Sequence, residues 1–273
     1  MDFPKITFGT RGSDLALAQT RIVSEKLAAA HPSLSIATTI IQTTGDKRLD
    51  ISLSAPGTLE KGLFIKELED ALLQRTVDAA VHSLKDLPTE QPPGLVLAAI
   101  LEREDPSDAL VSQFEGGLRG LPTGATVATS SPRRKAQLLH LRNDLHVVDI
   151  RGNVPTRLRK LAESNTFVAV LLAQAGLNRL GPSVMPAGLH VSIVKGMLPA
   201  PGQGAIAVEC REDDHATREL LSVLHHEDTA RCVTAERNLL RELGGGCSLP
   251  LGALAVIDEY GEVHLQKFLP DSL

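Results

Sequence analysis

Short apolar runs alternate along this chain with stretches whose apolar residues recur at helical spacing. Ile6 to Thr10 reads as a strand, and Leu15, Ala18, Ile22 and Leu27 form one stripe of a helix that stops near His31-Pro32. Ser35 to Gln42 is the next predicted strand, Phe64 to Gln74 a helix, Val77 to His82 a buried strand and Leu95 to Leu101 another. A polar break, Glu102-Arg103-Glu104-Asp105-Pro106, closes this block. The following block repeats the pattern, with strands predicted near Ala125–Thr129, His146–Ile150 and Phe167–Leu172 and helices between them. A second break runs from Met197 to Gly202, and Gly204 to Cys210 returns to strand character. Thr229 to Leu243 then reads as a helix capped by Asp228 or Thr229 and ended by Gly244-Gly245-Gly246. Leu249–Ile257 and Val263–Phe268 read as a hairpin around Asp258-Glu259-Tyr260-Gly261.

Alternation of this kind predicts an α/β class with largely parallel strands. Two breaks, with a strand after the second, imply that the chain crosses from one α/β lobe to another and then returns. The expected organisation is a first lobe from residues 1–101 and 202–220, a second from 107–196, and a small α+β unit over 226–273. A central ligand cleft is expected where two such lobes meet.

Composition narrows the chemistry. With no Trp and one Tyr, the cores must be built from Leu, Val, Ile and Ala. A net charge of −5 argues against a general nucleic-acid surface, so the arginines act locally and the expected partner is a small molecule. No run approaches the roughly 20 apolar residues that span a bilayer, and no leader peptide precedes the first strand, so no membrane partner is expected. Cys210, Cys232 and Cys247 are odd in number and widely spaced, fitting neither a disulfide framework nor a metal site. A reducing cytoplasmic setting follows.

Arginines recur where helices should least tolerate them. Arg11 follows the first strand, Arg133-Arg134 follow Thr126 to Thr129, and Arg151 follows Val147 to Ile150, with Arg157 a turn further on. Helix starts carry partial positive charge and spare N–H donors, so repeated cations there suggest an anionic ligand; for any single one, solvated surface arginine is the competing reading. Arg suits carboxylates because its planar fork can grip both oxygens. Ser13 and Ser131 are either anion donors or simple N-caps. Lys85-Asp86 is either a surface ion pair before Pro88 or a substrate-gripping cation beside an acid–base carboxylate. Cys247 sits in an open, glycine-flanked stretch that suits an accessible thiolate, and no general-base histidine is paired with it, so a covalent attachment point is the attractive reading. Cys210 and Cys232 read as core fillers, and His225-His226 as a solvated or capping pair. Residues 55–62, around Lys61, form either an ordinary loop or a lid.

Several segments together resemble the porphobilinogen deaminase (hydroxymethylbilane synthase) family, from about Ile6 to Gly252. They are Thr10-Arg11-Gly12-Ser13, Lys61-Gly62-Leu63-Phe64, His82-Ser83-Leu84-Lys85-Asp86-Leu87-Pro88 and Thr129-Ser130-Ser131-Pro132-Arg133-Arg134. Arg151-Gly152-Asn153-Val154, Pro201-Gly202-Gln203-Gly204-Ala205 and Gly245-Gly246-Cys247 complete the set. The resemblance implies two lobes like those of periplasmic binding proteins plus a third domain, and a monomeric cytoplasmic transferase. It implies a dipyrromethane cofactor joined by a thioether to Cys247. Four porphobilinogens would lose ammonia, add in turn to that primer, and leave as hydroxymethylbilane for tetrapyrrole synthesis. Asp86 matches the catalytic carboxylate, which would steady the electron-poor azafulvenium. Ser13, Lys85, Ser131, Arg133 and Arg134 match cofactor-binding positions; Arg11, Gln19, Arg151, Arg157 and Arg179 match substrate-binding positions; Lys61 and Phe64 match the lid.

Three departures accompany the match. Asp14 stands where the family usually has proline, Pro132 where leucine is common, and the stretch after Cys247 is shorter than usual, giving a shortened third unit. Two other readings share some of these features: a solute-binding or sensor module, which needs neither Asp86 nor Cys247, and a cysteine-nucleophile transferase, which lacks a paired base.

Overall fold

The strand-and-helix alternation resolves into two five-stranded sheets, each flanked by helices on both faces. They are seen in a computed structural model that describes residues 5–43, 65–244 and 249–270. The chain divides into two units, Met1–Arg103 with Ala205–Arg231, and Glu104–Gly204 with Cys232–Leu273. The first contains β1 (Lys5–Thr10), α1 (Asp14–Ala30), β2 (Ser35–Ile40), α2 (Lys66–Leu73), β3 (Ala79–Ser83), a 3-10 turn (Leu84–Asp86) and β4 (Leu95–Ile100). The second runs through β5 (Asp108–Ser112), a single helical turn α3 (Gly117–Gly120), β6 (Thr126–Ala128), α4 (Pro132–Leu141) and β7 (His146–Val148). It continues with α5 (Val154–Ala162), β8 (Ala169–Ala173), α6 (Gln174–Leu180) and β9 (His190–Ile193). The return supplies β10 (Ile206–Arg211), α7 (His215–Ser222) and the start of α8 (Glu227–Glu242), and the chain ends with β11 (Gly252–Ile257) and β12 (Val263–Phe268).

The two sheets share one plan. Unit 1 has the order β2-β1-β3-β10-β4, and unit 2 the order β7-β6-β8-β5-β9. In each, the first three strands are parallel and the fourth runs against both neighbours. The reversed strand is each time the one entered just after a crossing, β5 on the way out and β10 on the way back. All six positions of β10 are buried, as a strand covered on both faces requires.

Period-two alternation sends successive residues to opposite faces. In unit 1, Ile6, Phe8, Val81 and Val208 meet Val23 and Leu27 of α1 and Leu221 of α7 on one face. Ala80 and Leu95 meet Leu68 and Leu72 of α2 on the other. Unit 2 is built alike, with Leu158, Leu161 and Leu177 on one face and Leu138 on the other. Each fully buried aliphatic side chain contributes about 1.5–3 kcal/mol from burial, so these clusters are the main source of stability.

Two strands escape the hydrophobic pattern. β5 opens on Asp108 directly after the polar break, and β9 is a short edge strand with three of its four residues exposed. The predicted cap of α8 is also corrected. The helix starts at Glu227, and the Nδ1 of His226 accepts the Thr229 N–H at 3.2 Å, so the histidine caps it. That is one of the two roles the sequence left open for the pair. Asp258 organises the hairpin turn by accepting the N–H groups of Tyr260 and Glu262, each at 2.9 Å. Within unit 2, Glu236 of α8 fastens the C-terminal segment. It is fully buried and accepts N–H groups from Gly202 at 2.7 Å and Ala255 at 2.8 Å.

Candidate functional site

In unit 1 the candidate residues gather at one end of the sheet, because β1 and β3 are adjacent and parallel. Their carboxyl ends release Arg11 and Ser13 from β1, and Lys85 and Asp86 from β3. Ser13 caps α1, its Oγ accepting the Ala16 N–H at 3.3 Å, so the capping reading holds for this residue. Asp14 lies in the first turn of α1, where a carboxylate favours the dipole. Gln19 is buried and exchanges hydrogen bonds with Ser83, donating from Nε2 at 2.8 Å and accepting at Oε1 at 3.2 Å. That fixes the end of β3 just before the turn. Asp86 is exposed on that turn, and Lys85 is half-buried. Lys61, Phe64 and Cys247 lie outside the described residues.

In unit 2 the parallel trio β7-β6-β8 again brings its carboxyl ends together. Ser130 joins two of the loops: its Oγ donates to the Ile150 carbonyl at 2.9 Å and accepts the Ile150 N–H at 3.0 Å. Ser131 caps α4 through the Arg134 N–H at 3.4 Å, with Pro132 at the first helical position, where a missing N–H costs nothing. Gly152 has φ near 115°, and a Cβ there would come within 2.5 Å of the Thr156 side chain, so only glycine fits between Arg151 and the start of α5. Asn153 caps α5 by accepting the Thr156 N–H at 3.0 Å. Arg157 donates from Nε to the Gly152 carbonyl at 2.8 Å, folding back on the same loop. Arg179, at the end of α6, donates to the Gly204 carbonyl, and burial lowers its pKa against the opposing pull of Glu104.

Arg133 and Arg134 have a partner that sequence reasoning missed. Both are buried around Asp108, which is itself fully buried on β5. Arg133 reaches both Asp108 oxygens through Nη1 and Nη2, and Nη1 also donates to the Leu198 carbonyl. Arg134 donates to Oδ1 from Nε at 3.0 Å and from Nη2 at 2.7 Å, while its Nη1 reaches the Leu171 carbonyl at 2.9 Å. Gln203 adds a donor at 3.0 Å. Desolvation alone would raise the Asp108 pKa, but Arg134 and Arg133 outweigh it and hold the carboxyl far below the usual range. An acidic residue opening an otherwise apolar run, Asp-Ala-Leu-Val, was the available signal.

A second buried carboxylate lies in unit 1. Glu209 of β10 is 0% exposed, and its Oε2 stands 3.2 Å from Nε2 of His82 on β3. The approach lacks hydrogen-bond alignment, and among the described residues neither Glu209 oxygen has a hydrogen-bond partner. Cys210 beside it is buried, with its thiol pushed up to about 11 by desolvation, and Cys232 is buried as well, as core fillers should be.

Two α/β units of one plan thus each bring basic residues to the carboxyl ends of parallel strands, the end at which open α/β sheets bind ligands. The chain belongs to the porphobilinogen deaminase family. The family model for the porphobilinogen deaminase dipyrromethane cofactor-binding domain matches residues 6–219, and that for the C-terminal domain matches residues 230–271. It is 50% identical to the porphobilinogen deaminase of Chloroherpeton thalassium over 97% of this chain and 82% of the relative. To that of Syntrophomonas wolfei it is 48% identical, over 97% of this chain and 84% of the relative. Among solved structures, the methionine-binding protein MetQ aligns over 85% of this chain and 96% of its own, with 12% identity and a TM-score of 0.48. Membership makes the chain a transferase of tetrapyrrole synthesis with a dipyrromethane cofactor domain. Among the described residues, no helix is long and apolar enough to cross a membrane.

Proposed function

We propose that this chain deaminates porphobilinogen and joins four units head to tail on a dipyrromethane held by a thioether at Cys247, releasing hydroxymethylbilane. The observation that carries the reading is the cluster of Arg11, Lys85 and Asp86 at the strand ends of unit 1, matched by Arg151, Arg157 and Arg179 in unit 2. Pyrroles bearing acetate and propionate arms are polycarboxylates, so this donor set fits them. When bound, the dipyrromethane supplies the nucleophilic pyrrole end to which the first unit is joined.

The residues divide the work. Lys85 and Ser131 hold the cofactor, and Ser13 contributes from its cap. Arg133 and Arg134 serve the cofactor only through N–H groups that Asp108 does not engage. Arg11, Gln19, Arg151, Arg157 and Arg179 orient the substrate and the lengthening product. Asp86 is exposed, so its carboxylate is free to accept pyrrole N–H donors and to steady the positive charge left when ammonia departs. Lys61 and Phe64 belong to a lid that excludes water. Residues 226–273 act as a third domain that carries the cofactor cysteine, a boundary close to the family match at 230. The protein works as a monomer in the cytoplasm without nucleic acid, a setting consistent with the buried thiol at Cys210.

Intact-protein mass tests the reading. The mass should exceed that of the sequence by one dipyrromethane, and Cys247→Ser should abolish the excess. An active protein of unmodified mass overturns it. With the cofactor still attached, Asp86→Ala should nearly abolish turnover; near-normal turnover removes Asp86 from its role.

A further inference from the structure

We propose that His82 and Glu209 share one proton and act as a positioning pair for the turn that carries Lys85 and Asp86. The inference rests on the functional reading of Asp86 given above. It begins with register: Ala207 pairs with His82 and Glu209 with Ala80, so His82 and Glu209 are diagonal neighbours on one face of the sheet. That face is covered by α2, whose Leu68 and Leu72 pack around Ala80. Ser83 points to the opposite face, where Gln19 of α1 holds it. The last two residues of β3 are therefore anchored from both faces of the sheet, and the 3-10 turn starts at the very next residue. The Leu84 N–H, bonded to the Ala205 carbonyl at 3.0 Å, ties the turn to the segment that leads into β10.

The two anchors differ in kind. Gln19 and Ser83 are neutral and hydrogen-bonded to each other. Glu209 is 0% exposed and His82 6% exposed, and an isolated charge at that depth is strongly disfavoured. Among the described residues, neither oxygen of Glu209 has a hydrogen-bond donor, and the basic group close to it is the His82 ring. One proton held between Nε2 and Oε2 removes the penalty, whichever atom it sits on. Among the described residues, the charged groups tied to this face are Glu69 of α2, which feels both Glu209 and His82, Asp78 before β3, and Arg211 of β10, 3.7 Å from Asp78. Arg211 is committed to the Leu72 and Val77 carbonyls and to Asp214. Glu69 has its pKa raised, first by burial and then by Glu209, which places it against the same carboxylate and makes it no source of positive charge. The proton on the pair thus sets how closely β3 and β10 are drawn together directly beneath the catalytic turn.

The test uses the cofactor-loaded protein. Glu209→Gln should lower kcat about tenfold, the scale expected of a small misplacement, with KM within about twofold. The cofactor mass should be retained and the unfolding midpoint should stay within about 5 °C. His82→Gln should lower kcat alike, and the double variant should be no worse than either single one. An unchanged kcat, or a fall only in proportion to the folded fraction, overturns the proposal. Should Glu209→Gln fail to fold, imidazole nitrogen NMR on the unaltered protein decides. His82, assigned by the signal missing from His82→Gln, should show at neutral pH a downfield, exchange-protected proton hydrogen-bonded at Nε2; its absence overturns the proposal. A failure of the Asp86 reading shows separately, as near-normal turnover of Asp86→Ala while the His82 signals still report the shared proton.

Discussion

The reversed strand of each sheet carries a fully buried carboxylate, and the two units treat it in opposite ways. Asp108 on β5 is surrounded by Arg133, Arg134 and Gln203, with four donors on Oδ1 and one on Oδ2. Glu209 on β10 has, among the described residues, no hydrogen-bond donor, and the His82 ring stands 3.2 Å away. The first arrangement is a saturated hub in which arginines at the start of α4 are locked to the neighbouring strand. The second leaves a proton to be placed. Same topology, same strand, same burial: what differs is whether the partners are permanently charged. Arginine stays cationic at any accessible pH, so the hub is rigid; histidine does not, so the pair is adjustable.

The largest effect should come from Asp108→Asn. Two buried guanidinium groups would lose their counter-charge, at a cost of about 3–5 kcal/mol, whereas Glu209→Gln should cost about 1 kcal/mol or less. Chemical denaturation of both variants measures the contrast, and equal losses would break it. Acidity should separate the units next, because the pKa shifts have opposite signs. Asp108 is held below its unfolded value, so its contribution is complete above about pH 4 and fades as pH falls through the folded value. Glu69 is raised above its ordinary value of 4.5, so the stability it adds is present below that pH and is lost as pH rises through the folded value. Thermal unfolding against pH should therefore show the Asp108→Asn deficit shrinking below about pH 4, and Glu69→Gln gaining on the unaltered protein above about pH 4.5. The smallest effect is a matched pair: Ser13→Ala and Ser131→Ala each remove one helix cap, at about 1 kcal/mol. A turnover loss well beyond that would give either serine a ligand contact in addition to its cap.

Much of this organisation was legible in the residues. The alternation of strands and helices and the strand-end position of Arg11, Asp86 and Arg151 follow from local periodicity, because each element carries its own apolar stripe. The shared strand order and the reversed β5 and β10 were not legible, since strand direction depends on partners distant in sequence. β5 was hidden for a related reason: Asp108 looks like the end of a polar break until Arg133 and Arg134, 25 and 26 residues on, neutralise it. Glu209 was masked in the same way by reading as one polar residue in an apolar run. Ser13 and Ser131 show the reverse case, in which the plain capping reading describes the geometry found.

The placement of β10 between β3 and β4 also has a consequence for how the molecule is made. Synthesis delivers β1 through β4 first, but the strand that joins β3 to β4 comes only at Ile206–Arg211, after the whole second sheet has been produced. Until then the first sheet has two unpaired edges and an incomplete core, while the second, bounded by Asp108 and Ile193, has all its strands in hand. Such long-range closure slows folding, so the sheet translated second is expected to be finished first. The lobe that bears Asp86 is thus expected to be completed late, its 3-10 turn gaining the support of the neighbouring strand only once Ile206–Arg211 has slotted in.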